Sequence, residues 1–141
     1  MSITWRNKMT VGEPMIDIDH KRLIELINSY ENAVGSKDLD LLKSTFEGLL
    51  KYTETHFSRE ENLMRAIHYR GYREHKDAHQ KLIEELQKFH NRIIYKDGHI
   101  SLPEVSRFLH DWLINHVLEE DMKMKPLFEG GLHRKPDMSW Q

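Results

Sequence analysis

Apolar residues recur at helical spacing through four segments of this 141-residue chain, and no segment shows the alternation typical of a β-strand. The segments run from about 19 to 34, 38 to 67, 72 to 95 and 102 to 125. A helix that is apolar along one stripe must bury that stripe against a neighbour. Because the connections are short, an up-down-up-down antiparallel four-helix bundle buries all four stripes most economically. The sequence therefore predicts an all-α fold.

The ends of these segments carry residues that start or stop helices. Asp17 is placed to cap the N-terminus of the first helix, and Gly35 is placed to end it. Ser101, Pro103 and Glu104 form a capping box at the start of the fourth helix. Outside the helices we expect an irregular N-terminal arm and a short C-terminal tail.

The composition limits the class of protein. Lys and Arg number 21 against 23 Asp and Glu, and a pI near 6.5 gives no basic surface for nucleic acid or an anionic membrane. The absence of cysteine excludes disulfides, iron–sulfur clusters, thiolate zinc sites and cysteine nucleophiles. No stretch reads as a signal peptide or a membrane span. We therefore expect a single cytoplasmic domain over residues 1–141 that binds no nucleic acid and inserts into no membrane.

Each helical segment offers histidine or carboxylate ligands of the kind that bind metals. They are His20 on the first, His56 and Glu60 one turn apart on the second, His75 and His79 one turn apart on the third, and His116 followed by Glu119, Glu120 and Asp121 on the fourth. Taken singly, each has an ordinary explanation as a core histidine, a chance surface pair or a solvated helix end. Donors of one class on all four helices favour a shared centre, because a metal removes the cost of burying them.

Spacing on the fourth helix leaves the choice of carboxylate open. Glu120 lies one turn after His116, which is the simplest arrangement. Asp121 lies five residues after His116, about 140° round an ideal helix. Its use would require a tilted helix, a local π-turn or another approach angle.

Five further histidines are not expected to bind the metal. Two fall in loops, one falls in a turn, and two have no acidic or histidine partner one turn away on the proposed face. They are His99 and His133, then His68, then His90 and His110.

Four stretches of the chain carry a family resemblance. They read WRNKMTVGEPMIDIDHKRL from residue 5, HFSREENLM from residue 56, YREHKDAHQKL from residue 72 and WLINHVLEEDMKMKPLF from residue 112. In this order they resemble the motifs of the hemerythrin family in its bacterial single-domain form, over nearly the whole chain. The resemblance implies a four-helix bundle around a non-haem di-iron centre that binds O2 reversibly.

The resemblance also implies the ligand set, and it selects Asp121 over Glu120. One iron would be held by His75, His79 and His116, the other by His20 and His56, and both would be bridged by Glu60 and Asp121. Two positions depart from the family pattern. HYRG at residues 68–71 stands where the family often has Gly-Tyr-Pro, and Asp19 stands where glutamine often precedes the first ligand. Neither is a ligand, so these departures concern loop geometry and the surroundings of the metals.

With an oxo or hydroxo bridge between the two irons, this ligand set fills all but one position of two octahedral metals. The open position falls on the iron with two histidines, where O2 fits. An apolar pocket should exclude water from it. By position, the expected lining residues, which could equally be ordinary core, are Leu23, Phe57, Trp112, Leu113 and Val117.

The expected function is therefore O2 carriage, storage or sensing rather than catalysis. The alternatives are a di-iron enzyme of the peroxidase, oxidase or NO-handling type, and an iron or zinc store. The chain has no Glu-x-x-His spacing of the ferritin-like oxidases, which counts against an oxidase. The expected partner is O2, with an oxygen-consuming enzyme or a reductase left open, and the expected assembly is a monomer or a weak oligomer.

Overall fold

A computed structural model describes residues 3–95 and 102–128. The described chain forms four helices: α1 (Pro14–Ser36), α2 (Leu39–Ala66), α3 (Tyr72–Tyr95) and α4 (Leu102–Asn115). They pack as an up-down-up-down antiparallel four-helix bundle, in which α1 contacts α2 and α4, and α2 contacts α3. The predicted fold class is confirmed. None of the described helices has the length and hydrophobicity that a membrane span requires.

The first helix begins five residues before the predicted start at residue 19. Its N-cap is Glu13, whose carboxylate accepts hydrogen bonds from two backbone N–H groups of the first turn, and Pro14 follows in the position that best tolerates it. The prediction of Asp17 as N-cap is wrong. Asp17 lies inside the helix and accepts hydrogen bonds from the backbone N–H groups of Val11 (2.8 Å) and Gly12 (3.4 Å), which fastens the N-terminal arm to α1.

The prediction that Gly35 ends α1 is also wrong, by one residue. The helix continues to Ser36, and Lys37 adopts the left-handed conformation (φ 61°) that stops it. Asp38 then caps α2 by accepting a hydrogen bond from the backbone N–H of Leu41 at 3.1 Å. The predicted Ser101 cap of α4 and the predicted C-terminal tail lie outside the described residues.

The fourth helix does not stay regular to its end. After Asn115 it passes into a π-helical turn (His116–Glu120) and then a 3-10 turn (Asp121–Met124). At this junction the backbone N–H of Asp121 donates to the carbonyl of His116, five residues back rather than four. One extra residue is therefore accommodated in this turn.

Two apolar clusters lie along the bundle. The larger fills most of its length and includes Ile27, Leu49, Leu86 and Leu109, all fully buried. The smaller closes one end and consists of Val11, Ile16, Met64, Met124 and Phe128. Along the chain, His20, Glu60 and Asp121 each fall between a residue of the larger cluster and a residue of the smaller one. The candidate site is thus enclosed on both sides by apolar packing.

The N-terminal arm is irregular, as expected, apart from a 3-10 turn at Asn7–Met9. It packs along α1 through two hydrogen bonds of 3.0 Å between the backbone of Ile3 and the side chain of Asn28. Within the arm, the side chains of Met9 and Val11 are buried. The arm therefore covers part of the apolar face of α1.

Candidate metal centre

The structure brings all seven predicted ligands together inside the bundle. Every one of them is buried, at 5% exposure or less: His20, His56, Glu60, His75, His79, His116 and Asp121. α1 contributes one of them, α2 two, α3 two and the end of the fourth helix two. Helical spacing aligns each pair on a single face, and the antiparallel packing turns the four faces toward one another.

The π-helical turn decides which carboxylate of the fourth helix enters the cluster. By inserting one residue, it places Asp121 on the same face as His116, with Asp121 Oδ1 2.9 Å from His116 Nε2. Glu120 instead faces outward, where its carboxylate lies 3.4 Å from Lys123 Nζ. Of the two carboxylates that spacing left open, Asp121 is the one in the cluster.

Glu60 presents one oxygen to each of two groups of histidines. Its Oε1 lies 2.9 Å from His75 Nε2, 3.0 Å from His79 Nε2 and 3.7 Å from His116 Nε2. Its Oε2 lies 3.6 Å from His56 Nε2 and 3.9 Å from His20 Nε2. The carboxylate therefore stands between a group of three histidines and a group of two.

Asp121 repeats this arrangement from the opposite side. Its Oδ1 lies 2.8 Å from His75 Nε2 and 2.9 Å from His116 Nε2, whereas its Oδ2 lies 2.7 Å from His20 Nε2. The cluster consequently divides into two sets of converging ligand atoms that share both carboxylates. Within each set, the ligand atoms all lie within 4.8 Å of one another, close enough to surround a cation.

Several of these buried atoms have no hydrogen bond among the described residues, although their neighbours are close. They are His20 Nε2, His56 Nε2, Glu60 Oε2 and both carboxylate oxygens of Asp121. Their short distances lack the angles that a hydrogen bond needs. Unsatisfied buried polar atoms are costly, and one cation within each of the two sets would satisfy them. The donor set fits two transition-metal ions.

The electrostatics of the site are those of carboxylates surrounded by imidazoles. Burial raises the pKa of Glu60, but the surrounding imidazoles, His56 first among them, hold it well below its usual range. Burial also lowers the pKa of His75 and His116. For His75 the close carboxylates of Asp121 and Glu60 outweigh this effect and raise the pKa to about 9. For His116 the charge of Asp121, together with the nearby carboxylate of Glu60, raises the pKa to about 10. The carboxylates thus favour positive charge at this point, whether from protons or from metal ions.

Two carboxylates outside the cluster support individual histidines, and sequence reasoning did not identify either role. Asp19 Oδ2 accepts a hydrogen bond from His56 Nδ1 at 2.9 Å, and Glu61 Oε2 accepts one from His79 Nδ1 at 2.9 Å. Both supporting residues are sequence neighbours of a predicted ligand, which is the signal that could have found them. Adjacent helical positions point about 100° apart, so each reaches a histidine on the neighbouring helix.

The five predicted pocket residues are all buried in the larger apolar cluster: Leu23, Phe57, Trp112, Leu113 and Val117. Phe57 is the one with the closest ring contact to the site. Its ring stacks on that of His79, with centroids 3.7 Å apart and an angle of 5° between the planes. Its centroid also lies 5.4 Å from that of His116 and 5.7 Å from that of His56.

The histidines predicted not to bind metal lie outside the cluster wherever the structure describes them. His68 is exposed in the turn between α2 and α3. His90 Nε2 lies 3.2 Å from Glu47 Oε2, and His110 Nε2 lies 3.4 Å from Glu31 Oε1. His99 and His133 fall in parts of the chain that the structure does not describe.

Comparison with known proteins agrees with this geometry. Residues 11–128 match the family described as the hemerythrin HHE cation binding domain. The chain is 31% identical over 119 residues to the bacteriohemerythrin of Pseudomonas aeruginosa, covering 84% of this chain and 76% of that protein. It is 30% identical over 121 residues to the bacteriohemerythrin of Clostridium acetobutylicum, covering 83% of this chain and 94% of that protein.

The fold also matches solved structures. The crystal structure of wild-type hemerythrin superposes with a TM-score of 0.83 over 91% of this chain and 98% of its own, at 22% identity. At that identity the structural likeness supports the fold, while the sequence matches support the relationship. The buried cluster lies within the matched region, and the chain belongs to the hemerythrin family.

Proposed function

We propose that this chain holds two iron ions and binds O2 reversibly, as a carrier, store or sensor of oxygen. One observation carries the proposal: both central carboxylates present one oxygen to a group of three histidines and the other oxygen to a group of two. Glu60 and Asp121 would bridge the metals, with His75, His79 and His116 on one and His20 and His56 on the other. An oxo or hydroxo bridge would complete the link between them.

The two groups of ligands are unequal, and this inequality supports small-molecule binding. The group of two offers one fewer protein donor than the group of three. Its metal would therefore keep a position that no side chain occupies. When bound, the iron pair supplies the reversible chemistry of O2 at that position, and the protein determines what can reach it.

The surroundings of the site support binding rather than turnover. The buried ring of Phe57 lies against those of His79 and His116, and Trp112 packs on Phe57, so apolar side chains border the histidines. An apolar shell keeps protons and water away from a bound ligand, which slows side reactions. The same side chains also belong to the core, and the two roles are compatible.

Iron fits the donor set better than zinc. Structural zinc sites are closed and four-coordinate, and each is usually built from its own ligands. Here two groups share two carboxylates and are rich in imidazole, a combination that suits a pair of six-coordinate metals. The cytoplasmic location, and a reductase or oxygen-consuming enzyme as partner, belong to this proposal as well.

The test is an absorption spectrum of the fully reduced, iron-loaded protein before exposure to air, after it, and again after removal of oxygen. A band in the visible region should appear with air and disappear on deoxygenation over repeated cycles. His56→Leu should abolish the band. His90→Gln removes a histidine outside the cluster and should leave it unchanged.

A band that never reverses, together with steady consumption of peroxide or a reductant, would contradict carriage and support a di-iron enzyme. Failure to take up iron, with uptake of zinc in its place, would support a metal store.

A further inference from the structure

Asp19 is a buried carboxylate outside both sets of metal ligands. Each of its oxygens nevertheless accepts two hydrogen bonds. Its side chain is 4% exposed and lies between α1 and α2. Oδ1 accepts hydrogen bonds from Tyr52 Oη at 2.6 Å and Arg59 Nη2 at 2.5 Å. Oδ2 accepts hydrogen bonds from His56 Nδ1 at 2.9 Å and Arg59 Nε at 3.0 Å. Two donors on each oxygen fix both the position and the rotation of the carboxylate.

The hydrogen bond to His56 determines which nitrogen faces the metal group. An ionised carboxylate only accepts hydrogen bonds, so the proton of His56 must be on Nδ1. Nε2 is then left with its lone pair, and it points toward Glu60 Oε2 at 3.6 Å without a hydrogen bond. This is the state in which an imidazole binds a metal.

Only one of the two histidines in the two-histidine group has its Nδ1 hydrogen-bonded to a carboxylate of the described chain. His20 Nδ1 is buried and has no hydrogen-bond partner in the described chain. Among the residues that the structure describes, Asp19 is therefore the only carboxylate that orients an imidazole of that group, and it does so through His56. Glu61 has the corresponding place in the other group, where it supports His79.

We propose that Asp19, held by Arg59 and Tyr52, is the positioning residue for His56 and sets the affinity of the two-histidine group for its metal. This inference rests on the proposed metal centre. A carboxylate that accepts the second N–H of a metal-bound histidine fixes the ring and makes it a better ligand. Arg59, whose side chain is 36% exposed, balances the charge of Asp19, so the carboxylate can stay ionised inside the bundle.

Asp19→Asn is the direct test because it preserves the shape of the side chain. An amide has a single acceptor oxygen, and its NH2 group would face either Arg59 or the N–H of His56. One of these interactions is therefore lost. Glu61→Gln is the matched control, since it makes the same chemical change beside His79 in the other group.

Both variants and the wild type are labelled with ¹⁵N at histidine and titrated with Zn²⁺ against a competing chelator. The imidazole signals of His56 report filling of the two-histidine group, and those of His79 report filling of the three-histidine group. For Asp19→Asn we expect the His56 midpoint to move to about 10- to 100-fold higher free Zn²⁺, and the His79 midpoint to move less. Glu61→Gln should show the reverse.

Tyr52→Phe guards against a folding defect in Asp19→Asn. It removes one of the four hydrogen bonds to Asp19, at a half-buried position. The His56 midpoint should therefore move to a free Zn²⁺ concentration less than about tenfold higher. The ¹⁵N shifts of wild-type His56 should also show the Nδ1-protonated form.

Equal shifts of both midpoints in both variants, or unchanged His56 midpoints in Asp19→Asn and Tyr52→Phe, would overturn the inference while leaving the metal centre in place. If the wild type binds no Zn²⁺ in either group, this inference is overturned, whereas the proposed function is decided separately by iron uptake and the absorption spectrum.

Discussion

The two ends of this bundle are built from the same four helices but follow different rules. In the apolar half, helices are regular and fully buried Ile27, Leu49, Leu86 and Leu109 meet at the centre. At the other end, eight of the nine buried polar or charged residues of the described chain belong to the metal centre or contact one of its histidines. Here the fourth helix also changes to a π-helical turn.

The difference shows that one half of the bundle supplies most of the stability and the other half carries the metal ligands. Apolar burial holds the helices at fixed distances without any ligand. The polar end collects imidazoles and carboxylates whose burial is unfavourable unless a cation or protons compensate them. When the metals are removed, the apolar half should therefore stay folded, whereas the half with the metal centre should become less stable.

Removal of the metals should have the largest effect. If each ion is present at about 1,000 times its dissociation constant, its loss lowers the free energy of unfolding by about 4 kcal/mol. Chelated and iron-loaded protein would be compared by chemical denaturation and amide hydrogen exchange. Faster exchange should appear around His56, His79 and His116, with little change around Leu49 and Leu109. Uniform acceleration along all four helices would show that the two ends are not separable.

A cavity in the apolar half should have a large effect of a different kind. Leu109→Ala removes a fully buried side chain and should lower the free energy of unfolding by about 2–5 kcal/mol. Because the cavity lies in the apolar half, the loss should be the same with and without metal, and metal affinity should change little. Leu41→Ala, at a side chain 43% exposed, is the control and should cost less than about 1 kcal/mol. A much larger loss in the metal-bound protein alone would contradict the division.

In the metal-free protein the free energy of unfolding should depend on pH, and this effect should be smaller than the two above. The folded-state pKa values of His75 and His116 are raised to about 9 and about 10, above the ordinary value of 6.5. Their contribution to stability is therefore fully present below pH 6.5 and is lost as pH rises toward 10. We expect the free energy of unfolding to fall over this range. In metal-loaded protein the histidines are already deprotonated, so this decline should be absent.

Much of the fold could be predicted because its signal is local. The α3 range, Tyr72–Tyr95, coincides with the predicted one, since apolar periodicity spans the whole helix. The start of α1 was misplaced because Asp17 has the chemistry of a cap, although Glu13 and Pro14 provide the actual one. Cap residues are common enough that only the observed hydrogen bonds distinguish them.

The site divides in the same way between local and non-local information. His56 and Glu60, or His75 and His79, could be paired from spacing alone because a regular helix aligns them. Asp121 could not be chosen over Glu120 by spacing, because that choice depends on the π-helical turn at His116–Glu120. The sequence of this turn does not distinguish it from a regular α-helical turn. Asp19 was identified only as a departure from a family pattern, because its partners are on α2 and become neighbours only in the packed bundle.

The most direct test of the central idea, that two shared carboxylates hold two metals, is to count iron per chain by elemental analysis after anaerobic loading. We expect two irons in the wild type, fewer than one in Glu60→Gln, and two in the control Glu119→Gln, whose side chain is exposed. One iron per chain in the wild type, or two in Glu60→Gln, would contradict the account.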